Sequence, residues 1–271
     1  MPRKKTIIHI DYDRKMEQNN PLVSVVIPAY NAEKFIHQTI SSVLEQTFPG
    51  QIEILVVDDA SADGTEAVVR AIQPENNRVL RYFKNEENKG VAATRNYGVQ
   101  QAGGDYVAFL DADDWWTKDK IEKQLQLLEQ SQEEYCFCFS GRELMNAEGK
   151  SLGKTIPAPE RVTFQKMLRT DYVTCSSVLI KRELALAYPM EYAQFCEDYI
   201  CWMRILKDHG AAAGINEPLV KYRIVAGSKS NNKLKQAAMH YRSLRIIGLG
   251  PIQAAFRMVS YTYNGIKKYY I

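Results

Sequence analysis

Apolar residues follow two different spacings that alternate along the first 130 residues. Strands are predicted at residues 23–27, 52–57, 78–83 and 106–110, and the β-branched run at 23–27 suits a strand buried on both faces. Between and after them, apolar positions at helical spacing predict helices at residues 32–46, 63–72, 91–101 and 121–128. This alternation predicts an α/β fold with a mostly parallel central sheet flanked by helices.

The pattern is less regular after residue 131. Strands are predicted at residues 135–140, 172–181 and 218–224, and a helix at residues 198–208. The last forty residues are predicted to be helical, with a break at residues 248–251. The chain is therefore expected to have a weakly ordered leader at residues 1–20, a main domain with halves at 21–130 and 131–230, and a C-terminal helical tail at 231–271.

Composition narrows the class of protein. The net charge of the 271-residue chain is only +3, whereas a nucleic-acid partner usually requires a stronger and more clustered basic field. There is no signal-peptide pattern and no long apolar run of membrane-spanning length, which predicts a cytoplasmic protein. The five cysteines match no zinc pattern and are expected to be free thiols in a reducing compartment.

Three aspartates lie at the predicted mouth of the fourth strand, within the stretch 109–114. Strand alternation predicts that Asp111 and Asp113 point to the same side. Two carboxylates held close together repel each other unless a cation lies between them, and Mg²⁺ or Mn²⁺ prefers oxygen ligands of this kind. The alternative is a solvated acidic turn in which Asp114 caps the next helix.

Two further aspartates, Asp58 and Asp59, end the second strand. In a parallel sheet, ligands bind at the carboxyl ends of the strands, where Tyr30 also lies. These carboxylates could accept hydrogen bonds from a nucleotide base or a ribose. Helix capping by Ser61 and Asp63 is the alternative, but it leaves Asp58 and Asp59 unexplained.

A basic loop and an acidic pair complete the candidate chemistry. Lys89 and Arg95 flank the predicted start of a helix, where a diphosphate could bind, although an ordinary solvated basic loop is an equal alternative. Glu197 and Asp198 precede an apolar helical run. They either complement the helix dipole or supply a general base, and the motif alone does not decide between these roles.

The order and spacing of these motifs resemble glycosyltransferase family 2, which has the GT-A fold. The resemblance covers roughly residues 21–230 and rests on the motifs at 21–30, 58–65, 88–96 and 104–114. Within the family, the chain looks most like bacterial enzymes that build capsule, O-antigen or teichuronic-type polysaccharides.

The resemblance implies an inverting, metal-dependent transferase. It would move a sugar from a nucleotide-diphosphate sugar, with a UDP-sugar expected, to a glycan or lipid-linked glycan acceptor, and would use Mn²⁺ or Mg²⁺. Residues 21–130 would bind the nucleotide and residues 131–230 the acceptor.

The resemblance also implies residue roles. Pro28, Ala29 and Tyr30 would line the base pocket, with Tyr30 stacked on the base. Asp59 would contact the base with Asp58 beside it. Arg95 would approach the diphosphate or the base, and Lys89 and Ala112 are further donor contacts. Asp111 would contact the ribose, and Asp113 with Asp111 would bind the metal. Asp198 would be the catalytic base, and Arg223 with Tyr222, Ser228 and Ser230 would close over the diphosphate. Many relatives carry a histidine where this chain has Val225.

The tail beyond residue 244 is apolar, aromatic and basic. Such a helix could make peripheral contact with an anionic membrane, which would place the protein at the inner face of the cell membrane, or it could pack on the main domain or on a second subunit.

Three other functions are compared with this one on the residues alone. A nucleotidyltransferase would need a glycine-rich loop after the first strand, where this chain has Pro28 to Asn31. A dinucleotide-dependent oxidoreductase would need G-x-G-x-x-G at the same place. A non-catalytic sugar-binding protein is the third class, and the intact aspartate motifs argue against it.

Overall fold

The computed structural model describes residues 22–131, 134–225 and 233–270. The predicted leader at residues 1–20, and Ser228 and Ser230, lie outside the described residues. The first seven elements are β1 Val23–Ala29, α1 Ile36–Leu44, β2 Ile52–Asp58, α2 Thr65–Ala71, β3 Arg78–Lys84, α3 Val91–Gln101 and β4 Tyr106–Phe109.

The second part of the described chain contains the remaining strands and helices. They are β5 Trp115–Trp116, α4 Lys120–Gln130, β6 Phe137–Met145, β7 Ser151–Ile156, β8 Arg161–Thr163, α5 Phe164–Met167, β9 Leu179–Lys181, α6 Arg182–Ala187, α7 Glu197–His209, β10 Ala211–Arg223, α8 Lys233–Ile246 and α9 Pro251–Tyr270.

The described strands form one sheet with the order β3-β2-β1-β4-β9-β6-β10-β5, and β7 and β8 pair with β6 and β10. β1 runs parallel to β2 and β4, and β2 runs parallel to β3. All residues of β1 and β2 are buried, because a central parallel strand is covered on both faces. The predicted α/β fold with a mostly parallel sheet in the first half is therefore confirmed.

The predicted strand at residues 172–181 is largely wrong. Only Leu179–Lys181 forms a strand, antiparallel to β4 and β6, whereas Cys175–Ser177 forms a 3₁₀ turn. The Ser177 hydroxyl donates to the Thr174 carbonyl oxygen at 2.6 Å, so a local side-chain bond replaces strand pairing. The strand predicted at 218–224 is the end of β10, which starts at Ala211 and carries a register shift between Ile215 and Val220.

The hydrophobic core lies on both faces of the sheet and fixes the position of α7. Val26 points to the face that holds Trp202 of α7, whereas Val25 and Ile27 point to the face covered by α1. The Trp202 ring lies 5.9 Å from the Phe109 ring at the end of β4, measured between ring centroids. This contact anchors α7 against β4, so that the first residues of α7 lie near the residues that follow β4.

Candidate active site

The ends of β1 and β2 form one side of the site. Ala29 pairs with Asp58 in the parallel register, and the Ala29 carbonyl oxygen accepts the Asp59 N–H at 2.7 Å. Pro28 and Ala29 are buried within β1, whereas Tyr30 is 55% exposed just beyond the strand. The Tyr30 ring is thus the part of this segment that is available to a planar ligand.

Asp58 and Asp59 are buried and hold the surrounding loops. Asp58 accepts hydrogen bonds from the Tyr82 hydroxyl at 2.5 Å and the Ser61 N–H at 2.7 Å. Asp59 accepts them from the Asn85 amide and from the N–H groups of Lys89 and Gly90, each at 2.8 Å. These bonds set the entry to α3, and a contact between Asp59 and a nucleotide base stays a prediction.

The capping alternative proposed for Ser61 and Asp63 is half right. Asp63 accepts the Thr65 N–H at 3.0 Å at the first residue of α2. Ser61 does not cap this helix, because its hydroxyl oxygen accepts the Asn31 N–H at 2.9 Å. Ser61 therefore joins the turn after β2 to the turn after β1.

The residues 111–114 form a turn rather than an extension of β4. The Asp114 N–H donates to the Asp111 carbonyl oxygen at 3.1 Å, and β4 ends at Phe109. The argument from strand alternation was therefore wrong, because no strand runs through these residues. The turn still places the charges together: burial and the neighbouring Asp111 raise the pKa of Asp113 to about 6.

Asp114 is a structural residue, but it does not cap a helix. Its carboxylate accepts hydrogen bonds from the Ser176 hydroxyl at 2.6 Å and from the Arg223 N–H at 2.9 Å. The following helix, α4, begins only at Lys120, so the predicted cap was wrong. Burial, with the nearby charge of Asp113, raises the pKa of Asp114 well above its ordinary value.

Arg95 joins three parts of the chain at the centre of the site. Its Nη2 lies 2.6 Å from Asp111 Oδ1, and its Nη1 lies 3.2 Å from Glu197 Oε1. The Arg95 side chain is 6% exposed. It therefore connects α3, the turn after β4 and the start of α7. Sequence reasoning placed Arg95 near the diphosphate but did not identify Glu197 as its partner.

Asp198 lies beside this ion pair but does not form it. Burial raises the pKa of Asp198, although the positive charge of Arg95 partly offsets this effect. One carboxylate oxygen, Oδ1, accepts the Tyr199 N–H at 2.8 Å. A desolvated carboxylate near other charged groups is typical of a general base. Both Glu197 and Asp198 also lie in the first turn of α7, so they complement the helix dipole as well.

Arg223 lies behind the aspartate turn as a cross-link. Its guanidinium donates to the carbonyl oxygens of Asp113 at 2.8 Å and Ala147 at 2.7 Å, and to the Gln38 side chain at 2.6 Å. The rings of Phe35 and Trp115 flank it, each with its centroid 4.7 Å from the Arg223 Cζ. Direct contact with a diphosphate would require Arg223 to exchange these partners, so that role stays a prediction.

Lys89 and Ala112 were also predicted to contact the donor, and this role stays a prediction for both. The Lys89 side chain is exposed, while its N–H is held by Asp59. Ala112 is buried, and its carbonyl oxygen accepts the Thr39 hydroxyl at 2.8 Å. One described stretch of the chain ends at Val225. The residues beyond it, which include Ser228 and Ser230 of the predicted closing segment, lie outside the described residues.

Asp111 and Asp113 fit a divalent cation that keeps open coordination positions. The described residues include no cluster of three or more His, Cys, Asp or Glu side chains that could enclose a metal. Arg95 engages one oxygen of Asp111, while the pKa of Asp113 is raised by burial and by Asp111. Mg²⁺ and Mn²⁺ are commonly held by one or two carboxylates together with phosphate oxygens and water, and this pair suits that arrangement.

The model of the family described as "Glycosyl transferase family 2" matches residues 24–186. The chain belongs to glycosyl transferase family 2. It is 40% identical over 250 residues to the "Putative teichuronic acid biosynthesis glycosyltransferase TuaG" of Bacillus subtilis, covering 92% of this chain and 97% of the relative. It is 34% identical over 250 residues to WfgD of Escherichia coli, an "UDP-Glc:alpha-D-GlcNAc-diphosphoundecaprenol beta-1,3-glucosyltransferase", covering 92% of this chain and 95% of the relative.

A solved structure has a similar fold over most of this family 2 chain. It is the mannosyltransferase PcManGT from Pyrobaculum calidifontis in complex with GDP-Man and Mn²⁺, with a TM-score of 0.67 and 19% identity, covering 89% of this chain and 68% of that chain. The predicted GT-A fold and the predicted glycosyltransferase class are confirmed. No helix in the described parts of this family 2 chain is long and apolar enough to cross a membrane.

Proposed function

We propose that this glycosyltransferase moves a sugar, with inversion, from a UDP-sugar to a lipid-linked glycan acceptor in surface polysaccharide synthesis. The observation that carries the proposal is the set of side chains around Arg95. Asp111 and Glu197 bind its two terminal nitrogens, and the desolvated carboxylate of Asp198 lies beside them. In this proposal, Arg95 faces the diphosphate and Asp198 is the general base, and their closeness within one cluster supports both roles.

The donor would extend from Tyr30 to the aspartate turn. The exposed Tyr30 ring can stack on the base, and the neighbouring Asp59 can accept its imide N–H. Asp111 would hold the ribose, and Asp111 and Asp113 would hold Mn²⁺ or Mg²⁺. When bound, such an ion neutralises charge that develops on the departing diphosphate.

Asp198 would act on the acceptor. The Tyr199 N–H holds one carboxylate oxygen and thereby orients the other. As the acceptor oxygen forms a bond to the anomeric carbon and the bond to the diphosphate oxygen breaks, the hydroxyl proton passes to Asp198. A direct displacement of this kind inverts the anomeric configuration and requires no covalent intermediate.

The names of the relatives support the choice of substrates. WfgD, by its name, uses UDP-Glc and a sugar linked to diphosphoundecaprenol, and TuaG is assigned to teichuronic acid synthesis. Both similarities extend over nearly the whole relative. PcManGT was solved with Mn²⁺ and a nucleotide sugar, which supports the metal proposal.

The product's stereochemistry tests the proposal. The purified full chain is incubated with UDP-Glc, UDP-GlcNAc or GDP-mannose and a synthetic GlcNAc-diphospholipid, after EDTA treatment and with or without added Mn²⁺. We expect a β-linked product from an α-linked UDP-sugar, only with metal, as measured by mass spectrometry and NMR. An α-linked product would contradict inversion, and undiminished transfer in EDTA would contradict the metal requirement.

A further inference from the structure

Helix α9 presents a stripe of large apolar side chains to solvent. Ile252 is 84% exposed, Phe256 73%, Val259 71% and Tyr263 70%. Their spacing of three or four residues places them on one side of the helix, over three turns. Within the part of the chain that the structure describes, nothing covers this stripe, which we call the α9 stripe.

The opposite side of α9 is docked on the protein. Ala254 is fully buried, and the Tyr261 ring stacks on the His240 ring of α8 at 3.7 Å between centroids. The Asn264 amide donates to the Arg169 carbonyl oxygen at 3.0 Å. The helix is therefore fixed by one face, and the α9 stripe points outward from a folded surface.

The connection between α8 and α9 sets this orientation. The Gly248 N–H donates to Arg245 O, the Leu249 N–H donates to Leu244 O, both at 3.1 Å, and Gly248 has φ 101°. This bonding pattern is a Schellman ending, which a left-handed glycine permits. Pro251 then begins α9, so the direction of the exposed helix follows from the turn.

The charges of α8 and α9 indicate which kind of surface binds the α9 stripe. After Glu217, the sequence contains no acidic residue through its end, while α8 and α9 carry only basic charges: Lys233, Lys235, Arg242, Arg245, Arg257, Lys267 and Lys268. A second copy would bring a like-charged surface against this one. An anionic lipid surface attracts the basic residues and also receives the apolar stripe.

We infer that the α9 stripe binds the surface of an anionic phospholipid bilayer, with α9 lying in the interface. None of the described helices can span a membrane, so the contact is peripheral. The inference deepens the proposed function, because a lipid-linked acceptor lies in such a bilayer. The Tyr199 ring, next to Asp198 in the chain, lies 4.6 Å from the His240 ring, and the His240 ring stacks on Tyr261 of α9, so these contacts connect α9 to the start of α7.

Vesicle binding tests this surface without donor or acceptor. The full chain is sedimented with vesicles of phosphatidylcholine alone or of phosphatidylcholine with phosphatidylglycerol. We expect at least tenfold stronger partition to the anionic vesicles and weaker partition in high salt. The triple variant Ile252→Ser, Phe256→Ser, Val259→Ser should lose at least tenfold in partition.

A matched control uses exposed apolar residues elsewhere. The variant Leu152→Ser, Leu186→Ser should bind vesicles like the wild type, since these residues are 52% and 40% exposed but lie outside α9. Circular dichroism and UDP binding show whether each variant is folded. Equal partition of the triple variant and the wild type would overturn the inference. A wild-type dimer that the triple variant dissociates, together with no vesicle binding, would assign the stripe to a second copy instead.

The result is separable from the proposed function. Vesicle binding without sugar transfer to any lipid-linked acceptor would leave the surface assignment intact and refute the proposed reaction. Transfer to a detergent-dispersed lipid-linked acceptor by a chain that does not bind vesicles would instead support the proposed reaction and overturn the surface assignment.

Discussion

Asp58 and Asp59, at the end of β2, accept hydrogen bonds from Tyr82, Ser61 and the loop that leads into α3, whereas Asp113 and Asp198 are partly buried and desolvation raises the pKa of each. The first pair, the β2 side, shapes the backbone. The second pair, which we call the reaction side, retains a desolvation cost that nearby positive charges offset only in part. Carboxylates without adequate partners are unfavourable in a folded protein, so the reaction side is where chemistry is to be expected.

The largest expected effect is on the reaction side. Asp198→Asn should lower kcat about 10³-fold, because the acceptor hydroxyl loses its proton acceptor. The KM for the donor and the Tm should change little, since Asn keeps an oxygen for the Tyr199 N–H. Steady-state kinetics on the transfer reaction measures the split. Asp208→Asn, an exposed change on the same helix, is the control and should retain activity. Full kcat in the Asp198 variant would remove it from the base role.

Substitutions of the two neighbouring aspartates of the turn, Asp113 and Asp114, should affect different properties, namely donor binding for the first and stability for the second. Asp113→Asn should weaken Mn²⁺-dependent binding of UDP about 100-fold, or about 2.7 kcal/mol, with little effect on binding without metal. Asp114→Ala should instead lower the free energy of unfolding, because Ser176 and the Arg223 N–H lose their acceptor. Calorimetric titration and thermal melting give the two readouts. Equal metal dependence in wild type and Asp113→Asn would contradict the metal assignment.

On the β2 side, we expect a substitution to lower mainly the free energy of unfolding. Asp59→Ala leaves the Lys89 and Gly90 N–H groups without their carboxylate, which should cost about 2 kcal/mol. The Tm should fall by roughly 4–8 °C for a chain of this size. Glu86→Ala, an exposed acid in the same loop, is the control and should melt like the wild type. A normal Tm with lost UDP binding would instead make Asp59 a ligand contact alone.

The smallest expected effect concerns His240, whose ring packs against Tyr199 of α7. This effect depends on pH. Burial lowers the pKa of His240 to about 4 from 6.5. Between these values the unfolded chain binds more protons than the folded one, so stability is retained above pH 6.5 and lost as the pH falls toward 4. His240→Phe should match the wild type within about 1 kcal/mol at pH 7.5 and be relatively more stable by about 1 kcal/mol at pH 5.5.

Chemical denaturation of both proteins at the two pH values measures this difference. Phenylalanine preserves ring stacking with Tyr261, and the buried Nε2 of His240 has no hydrogen-bond partner among the described residues. A stability difference that does not change with pH would show that His240 titrates normally in the folded protein.

Local sequence was sufficient for much of the first half of the fold. The helix predicted at residues 91–101 is found with those bounds, and the strand predicted at 78–83 extends by one residue. A buried parallel strand requires a continuous apolar run, and a surface helix requires apolar residues at helical spacing, so both leave a local signal. The short strands β5, β7 and β8 were not predicted, because two to six residues carry too little periodicity.

The same division holds for the site. Sequence alone determined which carboxylates lie at strand ends and at the start of α7, since those positions follow from the period of the neighbouring elements. Only tertiary structure decided their roles. Arg95 and Glu197 are 102 residues apart, and Asp114 and Arg223 are 109 apart. Whether a carboxylate is saturated with donors or left desolvated depends on such distant partners, which no local pattern encodes.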